Sequence, residues 1–308
     1  MRALIVHNPR SGFGSDAIYE FQRALLRAGD ECVLRVLTAN PQQDERRLAD
    51  AEEYDLVVVS GGDGTVAHAL YALRNRGVAT CVFPSGTANL LAANIGNATE
   101  PAALAAACRA GRTFSSDLGE ISWTDAKGEP HTRGFGLMSG MGFDAQLMHD
   151  AIPTKQLLGE AAYFAAVLAN VWPKVHHFTI DIDGQTYEHD GISCLVANNA
   201  MMQGEIEIVP NCRMDDGMLD VIVLETTGTA QLLAPMLAGI VDPSGREVGR
   251  PRIATYSGRD IHVTADEPMK MEIDGDVVTG DVVSWEAHVL PGCCDVIMDA
   301  LSRYAQQA

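Results

Sequence analysis

Basic charge is what this 308-residue chain has least of: 22 Lys and Arg stand against 41 Asp and Glu, for a formal net charge of -19 and a pI of about 4.7. Nucleic-acid binding needs a cationic surface that displaces counterions, so that class of partner is excluded. General attraction to an anionic bilayer is weak for the same reason. Long apolar runs are missing too. None reaches the ~18 residues of a membrane span, so the chain reads as soluble or peripheral. Met1-Arg2 leads straight into a strand-like run and then Asn8-Pro9, so no secretory signal is expected. The seven cysteines are scattered without a C-x-x-C spacing. Cys32, Cys81, Cys108 and Cys194 lie in apolar runs and read as buried free thiols, while the adjacent Cys293 and Cys294 are poorly placed to bridge each other. A reducing, cytoplasmic compartment fits this usage. Repeats and low-complexity segments are absent. What remains, 47% hydrophobic and 20% charged, is ordinary for a folded protein and long enough for two modest domains or one large one.

The most informative stretch is Ser60-Gly61-Gly62-Asp63-Gly64-Thr65. It follows Asp55 to Val59, a β-branched apolar run typical of a buried parallel strand, and precedes Val66 to Leu73, whose apolar spacing suits a helix on a sheet. Glycines at a strand-to-helix turn allow positive φ and leave the backbone open to a ligand. The helix start adds free N–H groups and a positive dipole end, which favour a phosphate. A carboxylate at Asp63 would repel phosphate oxygens unless a divalent cation lies between, so it points to metal-nucleotide chemistry. The same stretch suits a plain turn with a helix-capping Asp.

Taken in order, Ala3–His7 reads as a strand, Asn8 to Ser15 as a polar glycine loop, Ile18 to Ala28 as a helix stopped at Gly29, and Cys32 to Leu37 as a strand ending in Thr38. Arg46 to Glu53 reads as a helix and Ala79 to Phe83 as a fourth strand closed by Pro84-Ser85-Gly86-Thr87. A helix starts near Ala88, and Pro101 to Ala110 forms another. This alternation predicts a doubly wound parallel sheet, in which ligands collect at the carboxyl ends of the strands, and the polar glycine loops all fall there. After about residue 118 the pattern changes. Strand-like runs at 134–137, 178–182, 192–197, 219–224, 260–264, 269–273 and 282–289, with turn dipeptides Asp183-Gly184 and Asp274-Gly275, predict a mainly antiparallel β domain. Glu160 to Val171 and Ala230 to Ile240 read as helices. The organisation expected is an α/β domain over 1–118, a β-sandwich domain over 119–293, and a helix over 294–308 that docks back on the first domain.

Asn8-Pro9-Arg10-Ser11-Gly12, Gly61-Gly62-Asp63-Gly64-Thr65 and Pro84-Ser85-Gly86-Thr87-Ala88-Asn89 together resemble the three nucleotide-site motifs of the diacylglycerol kinase catalytic-domain family, with the bacterial soluble lipid kinases nearest. Gly140 to Ala145 resembles that family's G-x-G-F-D-A segment, Arg213 to Asp220 its D-G-x-L stretch, and Asp274-Gly275-Asp276 stands where the family usually has D-G-E. The resemblance covers nearly the whole chain. It implies a nucleotide domain, a β-sandwich and a cleft between them. It implies ATP near Asn8, Pro9, Arg10, Ser11 and Gly12, Thr38, Gly61, Gly62, Asp63, Gly64, Thr65, Val66 and Ala67, and Thr87, with Asn89 beside them. It implies Mg²⁺ at Asp216 with backbone oxygens of Arg213 and Met218, and a general base at Asp276. It also implies a lipid substrate met at the inner membrane surface by a cytoplasmic enzyme, and it leaves room for a homodimer.

Three departures bear on the substrate and on activity. Ala67-His68 replaces the family's Asn-Glu, Leu90 follows Asn89 where Asp is usual, and Asp276 is one methylene shorter than Glu, so a base there would need an intervening water. The expected reaction passes a γ-phosphoryl group to a lipid hydroxyl, by default that of diacylglycerol. The glycine-loop amides hold the polyphosphate, Asp63 helps anchor the cation, and Asp276 or Asp274 takes the proton. NAD kinase, which also carries GGDGT, and a non-catalytic nucleotide or lipid sensor are the alternatives. His176-His177 reads as a half-exposed pair, and Met201-Met202 and Ala161 to Trp172 read as packing more than as lipid contacts.

Overall fold

A computed structural model describes residues 1–12, 16–38, 46–142, 173–202, 206–242, 245–246 and 248–305. The expected helix at Glu160–Val171, the apolar stretch 161–172 and Phe143-Asp144-Ala145 lie outside them. Among the described residues no helix is long and apolar enough to cross a membrane. The chain divides into two compact units: Met1–Leu118 with Met214–Asp216 and Leu290–Ala308, and Gly119–Arg213 with Gly217–Val289.

The first unit is a parallel sheet. Strands β1 (Arg2–His7), β2 (Glu31–Val36), β3 (Leu56–Gly61) and β4 (Ala79–Pro84) lie in the order β2-β1-β3-β4. The chain runs outward from β1 to β2 and then crosses back to β3, so β1 and β3 flank the point where the winding reverses. Every residue of β3 is buried, which is why it reads as an unbroken apolar run and not as an alternation. Helix α1 (Ala17–Arg27) turns Ile18, Phe21 and Leu25 inward at helical spacing, and Phe21 meets Phe83 edge-on at 5.4 Å. Helix α2 (Asp63–Leu73) follows β3, and the short α3 (Leu90–Ile95) follows β4. Helix α4 (Pro101–Ala110) has Pro at its start, a Glu100 carboxylate accepting from the Ala103 N–H, and Gly111 at φ 67° to end it.

Two elements of this unit differ from expectation. Arg46 is helical, but residues 47–53 form turns and one short 3₁₀ segment, Ala51–Glu53, instead of a helix. The Arg35 guanidinium holds Asp50 and the Arg47 carbonyl, which fixes the turns in place of helical hydrogen bonds. The final segment is a strand to Ile297, with Val296 paired to Thr80, followed by turns. The Asp299 carboxylate accepts from the N–H groups of Ala98, Leu301 and Ser302, and this local bonding competes with a helix. The segment belongs to the first unit, tied by Ser302 Oγ to Ile95 O and by Tyr304, which stacks on Phe114 at 4.0 Å. Cys32, expected to be buried, is only half-buried, and no cysteine is in a disulfide.

The second unit is antiparallel. Strands β5 (Thr113–Thr124) and β6 (Pro130–Phe135) pair, although β5 begins in the first unit. Strands β7 (Met138–Gly142), β8 (His176–Ile182), β9 (Gln185–Gly191) and β10 (Ser193–Ala197) follow. The short pair β11 (Met201–Met202) and β12 (Ile206–Glu207) comes next, then β13 (Leu219–Leu224), helix α5 (Leu233–Val241), β14 (Ile253–Gly258), β15 (Asp260–Ile273) and β16 (Asp276–Ile297). One layer runs β14-β13-β10-β7-β15. The other takes in β9 and β8 against the first half of β15. Register shifts between Thr264 and Met269 and between Lys270 and Glu272 bend β15, so one strand serves both layers. Phe135, Met141, Phe178, Met271 and Trp285 fill the core between them. The runs expected separately at 260–264 and 269–273 are thus one bulged strand, and the run at 134–137 is half the end of β6 and half the bend between β6 and β7. Gly140 and Gly142 lie in β7 where a Cβ would come within 2.4 Å of Cys194 O and 2.5 Å of Ile192 O, so these glycines serve close strand approach.

Candidate active site

The three glycine loops of the first unit converge at the carboxyl ends of β1, β3 and β4. Asn8 Nδ2 donates to Thr65 Oγ1 at 2.9 Å, joining the first loop to α2. The Gly62 N–H donates to Ser11 Oγ at 3.1 Å, joining the first loop to the second, and the Ser85 N–H donates to Gly61 O at 3.2 Å, joining the third to the second. The approach is close enough to require glycine at two positions. A Cβ on Gly86 would lie 2.5 Å from Gly62 Cα, and one on Gly12, itself at φ 64°, would lie 2.4 Å from Ser85 O. Gly62 precedes α2, so the first-turn amides of Asp63, Gly64 and Thr65 have no carbonyl within the helix to bond.

Side chains brace this cluster. Asn89, in the left-handed region at φ 51°, closes the third loop by accepting from Gly86 N and donating to Gly86 O, so its amide serves the loop itself. Asp63 caps a neighbouring helix and not its own: its Oδ1 accepts the Leu91 N–H of α3 at 2.9 Å, while its second oxygen accepts no hydrogen bond among the described residues. Pro9, Arg10 and Thr87 are exposed at the loops, and the Arg10 guanidinium makes no ion pair among the described residues. Thr38 is exposed just beyond β2. Val66 and Ala67 are buried, and the Val66 N–H is committed to Gly62 O, so neither offers a side chain or amide at the loops. His7, Ser60 and Ser85 form a hydrogen-bonded row beneath the loops that sequence reading missed. The one signal was a serine ending an otherwise apolar strand. Burial lowers the pKa of His7, which favours the neutral ring.

In the second unit Asp274-Gly275 is a two-residue hairpin turn with φ of 50° and 85°, joining β15 to β16 with Ile273 opposite Asp276. Both Asp274 oxygens are occupied: Oδ2 accepts the Gly136 N–H at 3.0 Å and Oδ1 the Leu137 N–H at 2.8 Å. Buried Glu272 accepts the Gly275 N–H at 2.7 Å. Asp276 is exposed and accepts from Arg133 Nη2 at 2.7 Å through Oδ2, its one hydrogen bond among the described residues. Sequence reading missed Arg133, because the pair spans 143 positions. Asp216 lies in the first unit, and Arg213 and Met218 lie in the second on either side of it in sequence, with Gly217 at φ 71°. Met214 O accepts the Asp117 N–H at 2.6 Å. Among the described residues no three His, Cys, Asp or Glu side chains cluster as metal ligands. Carboxylate and carbonyl oxygens are the ligand type a hard cation accepts together with water.

A parallel sheet with glycine loops gathered at its winding reversal, followed by an antiparallel sandwich, defines a nucleotide-kinase-like protein. Residues 2–121 match the diacylglycerol kinase catalytic domain, and residues 138–298 match the YegS C-terminal NAD kinase beta sandwich-like domain. The chain belongs to the diacylglycerol kinase-like lipid kinase family. A Pseudomonas aeruginosa protein named probable lipid kinase YegS-like is 30% identical over 232 residues, 72% of each chain. The Bacillus subtilis diacylglycerol kinase is 24% identical over 302 residues, 94% of this chain and 95% of that one. An uncharacterized Synechocystis protein is 27% identical over 260 residues, and the match spans only 55% of its length. In fold alone, a crystal structure of a diacylglycerol kinase from Bacillus anthracis superposes with a TM-score of 0.74 at 21% identity over 97% of both chains. Yeast NADH kinase does so with a TM-score of 0.54 at 12% identity over 97% of this chain and 84% of that one.

Proposed function

We propose that the chain transfers the γ-phosphoryl group of ATP to a lipid hydroxyl, with diacylglycerol as acceptor and phosphatidic acid as product. The observation that carries this reading is the convergence of the three loops, in which Gly86 and Gly62 touch and Asn8 and Ser11 bridge to the second loop. Unsatisfied first-turn amides beside a glycine turn suit a polyphosphate. Names carried by relatives support the lipid acceptor. Asp276 is the proton acceptor in this reading, because its Oδ1 accepts no hydrogen bond among the described residues while both oxygens of Asp274 are engaged by backbone amides. Asp274 then holds the turn, and Arg133 orients Asp276. Asp216, with the carbonyls of Arg213 and Met218, is the proposed Mg²⁺ site. When bound, the ion offsets phosphate charge. The Asp63 oxygen that accepts no hydrogen bond among the described residues is a further point of contact for that ion. Action at the inner membrane surface follows from the acceptor.

Purified protein with Mg²⁺ and γ-labelled ATP is expected to label a chloroform-soluble product from diacylglycerol. Label transferred only to NAD would support the NAD kinase alternative, for which the sandwich match is the favouring observation. ATP binding without turnover on diacylglycerol, monoacylglycerol, sphingoid base or ceramide would support the sensor alternative.

A further inference from the structure

Beneath the loops, His7 Nδ1 lies 2.9 Å from Ser60 Oγ, and Ser60 Oγ lies 2.6 Å from Ser85 Oγ. His7 ends β1 just before Asn8, Ser60 lies near the end of β3 just before Gly61, and Ser85 follows β4 within the third loop, just before Gly86. His7 and Ser60 are buried and Ser85 is half-buried, so the row is closed at the imidazole and open at the loops. The Ser85 N–H is already spent on Gly61 O, so the hydroxyl is the one donor this residue has left for a ligand.

A hydroxyl has a single proton and two lone pairs, so two opposite directions make the row a continuous relay on the same heavy-atom positions. With a proton on Nδ1, His7 donates to Ser60, Ser60 donates to Ser85, and Ser85 turns its own proton outward. With Nδ1 bare, Ser60 donates to His7, Ser85 donates to Ser60, and the loops meet only Ser85 lone pairs. Those lone pairs would face the same space as the first-turn amides of α2, which favour negative charge. An anion there stabilises the first direction and opposes the second.

We propose that His7 is a positioning residue for the phosphate loops: its Nδ1–H sets the direction of the Ser60–Ser85 relay so that the Ser85 hydroxyl donates to a phosphate oxygen. The proposal rests on the reading of these loops as a polyphosphate site. Burial lowers the His7 pKa, which favours the neutral imidazole, and in that form the relay depends on which nitrogen carries the proton.

The test combines a spectrum with binding. In ¹⁵N-histidine NMR of the full chain, with the His7 signal assigned by its loss in His7→Asn, the neutral ring is expected to carry its proton on Nδ1 when ADP is bound. A proton on Nε2 in that complex overturns the proposal. In calorimetry with ADP, His7→Leu and Ser85→Ala should each weaken binding about 10-fold, the worth of one hydrogen bond to a charged group. The double variant should lose no more than either single. His7→Asn, whose Nδ2 replaces the Nδ1 donor, should restore affinity to within about 2-fold. Additive losses, or His7→Asn as weak as His7→Leu, overturn the proposal. Ser85→Ala removes only an exposed-end hydroxyl, so it answers the question if His7→Leu does not fold. If the unaltered protein binds no ADP, the nucleotide reading fails, and a proton on Nε2 of the free protein then decides against the relay separately.

Discussion

The loops of the first unit and the Asp274–Asp276 turn of the second are built on opposite principles. The loops present backbone amides, and what brings them together is close backbone approach at glycines: Gly86 on Gly62, Gly12 on Ser85. The turn presents carboxylates, and what fixes them is side-chain bonding to distant partners: Asp274 to the Gly136 and Leu137 amides, Asp276 to Arg133. A backbone-built site is most sensitive where a glycine makes the close approach, and less so at the side chains that brace it. A carboxylate site is sensitive to one atom, because exchanging an oxygen for a nitrogen changes an acceptor into a donor.

The contrast is sharpest at Asp276. Asp276→Asn is expected to lower kcat by about 10²–10⁴-fold, the usual contribution of a general base, with ATP affinity unchanged. Steady-state kinetics and calorimetry check this, and an equal loss in both would move Asp276 into nucleotide binding. Asp274→Ala should destabilise the protein by roughly 2–3 kcal/mol, since it orphans two amide donors and places a non-glycine without a local hydrogen bond at φ 50°. Urea unfolding measures it, and a change below about 0.5 kcal/mol, the range of an ordinary surface substitution, would contradict the bonding described. Asn8→Ala, which removes one bridge between loops, should cost about 1 kcal/mol and raise the ATP KM several-fold with kcat retained.

The smallest effect expected lies away from both sites. Arg35 grips Asp50 at 2.5 and 2.7 Å, and this hydrogen bonding brings the Asp50 pKa down to about 2. A carboxyl depressed in the folded state adds stability above its ordinary pKa and loses it as pH falls toward the folded value. Melting temperatures measured from pH 5 down to pH 2 should therefore fall more steeply for the unaltered protein than for Asp50→Asn. The difference at pH 5 should stay within about 1 kcal/mol, because the pair is half-exposed.

The loop residues were legible in sequence because their reasons are local. A glycine turn after an apolar strand and before a helix announces an amide site, and all three motifs lie within two or three residues of a strand end. The bracing was not legible. That Asn89 would close its own loop, that Asp63 would cap the neighbouring helix, and that Ser60 would touch both His7 and Ser85 are consequences of strand order, which periodicity does not encode. The Asp274-Gly275 dipeptide identified its turn outright, since few pairs other than Asp-Gly or Asn-Gly accept two positive φ values. Its partner Arg133 gave no signal. The end of the chain was misread for a related reason: Cys294 to Ala305 has helical composition, yet pairing of Val296 with Thr80 and the Asp299 turn override it.

Calorimetric titration of ATP into Gly86→Ala protein tests the central claim most directly, because the added Cβ has nowhere to go but into Gly62 Cα at 2.5 Å. The account predicts that the unaltered protein binds ATP and that the variant, folded by its circular dichroism, binds at least about 100-fold more weakly, a loss of roughly 2.7 kcal/mol. Equal affinity in the two proteins would mean that the three loops do not share one polyphosphate.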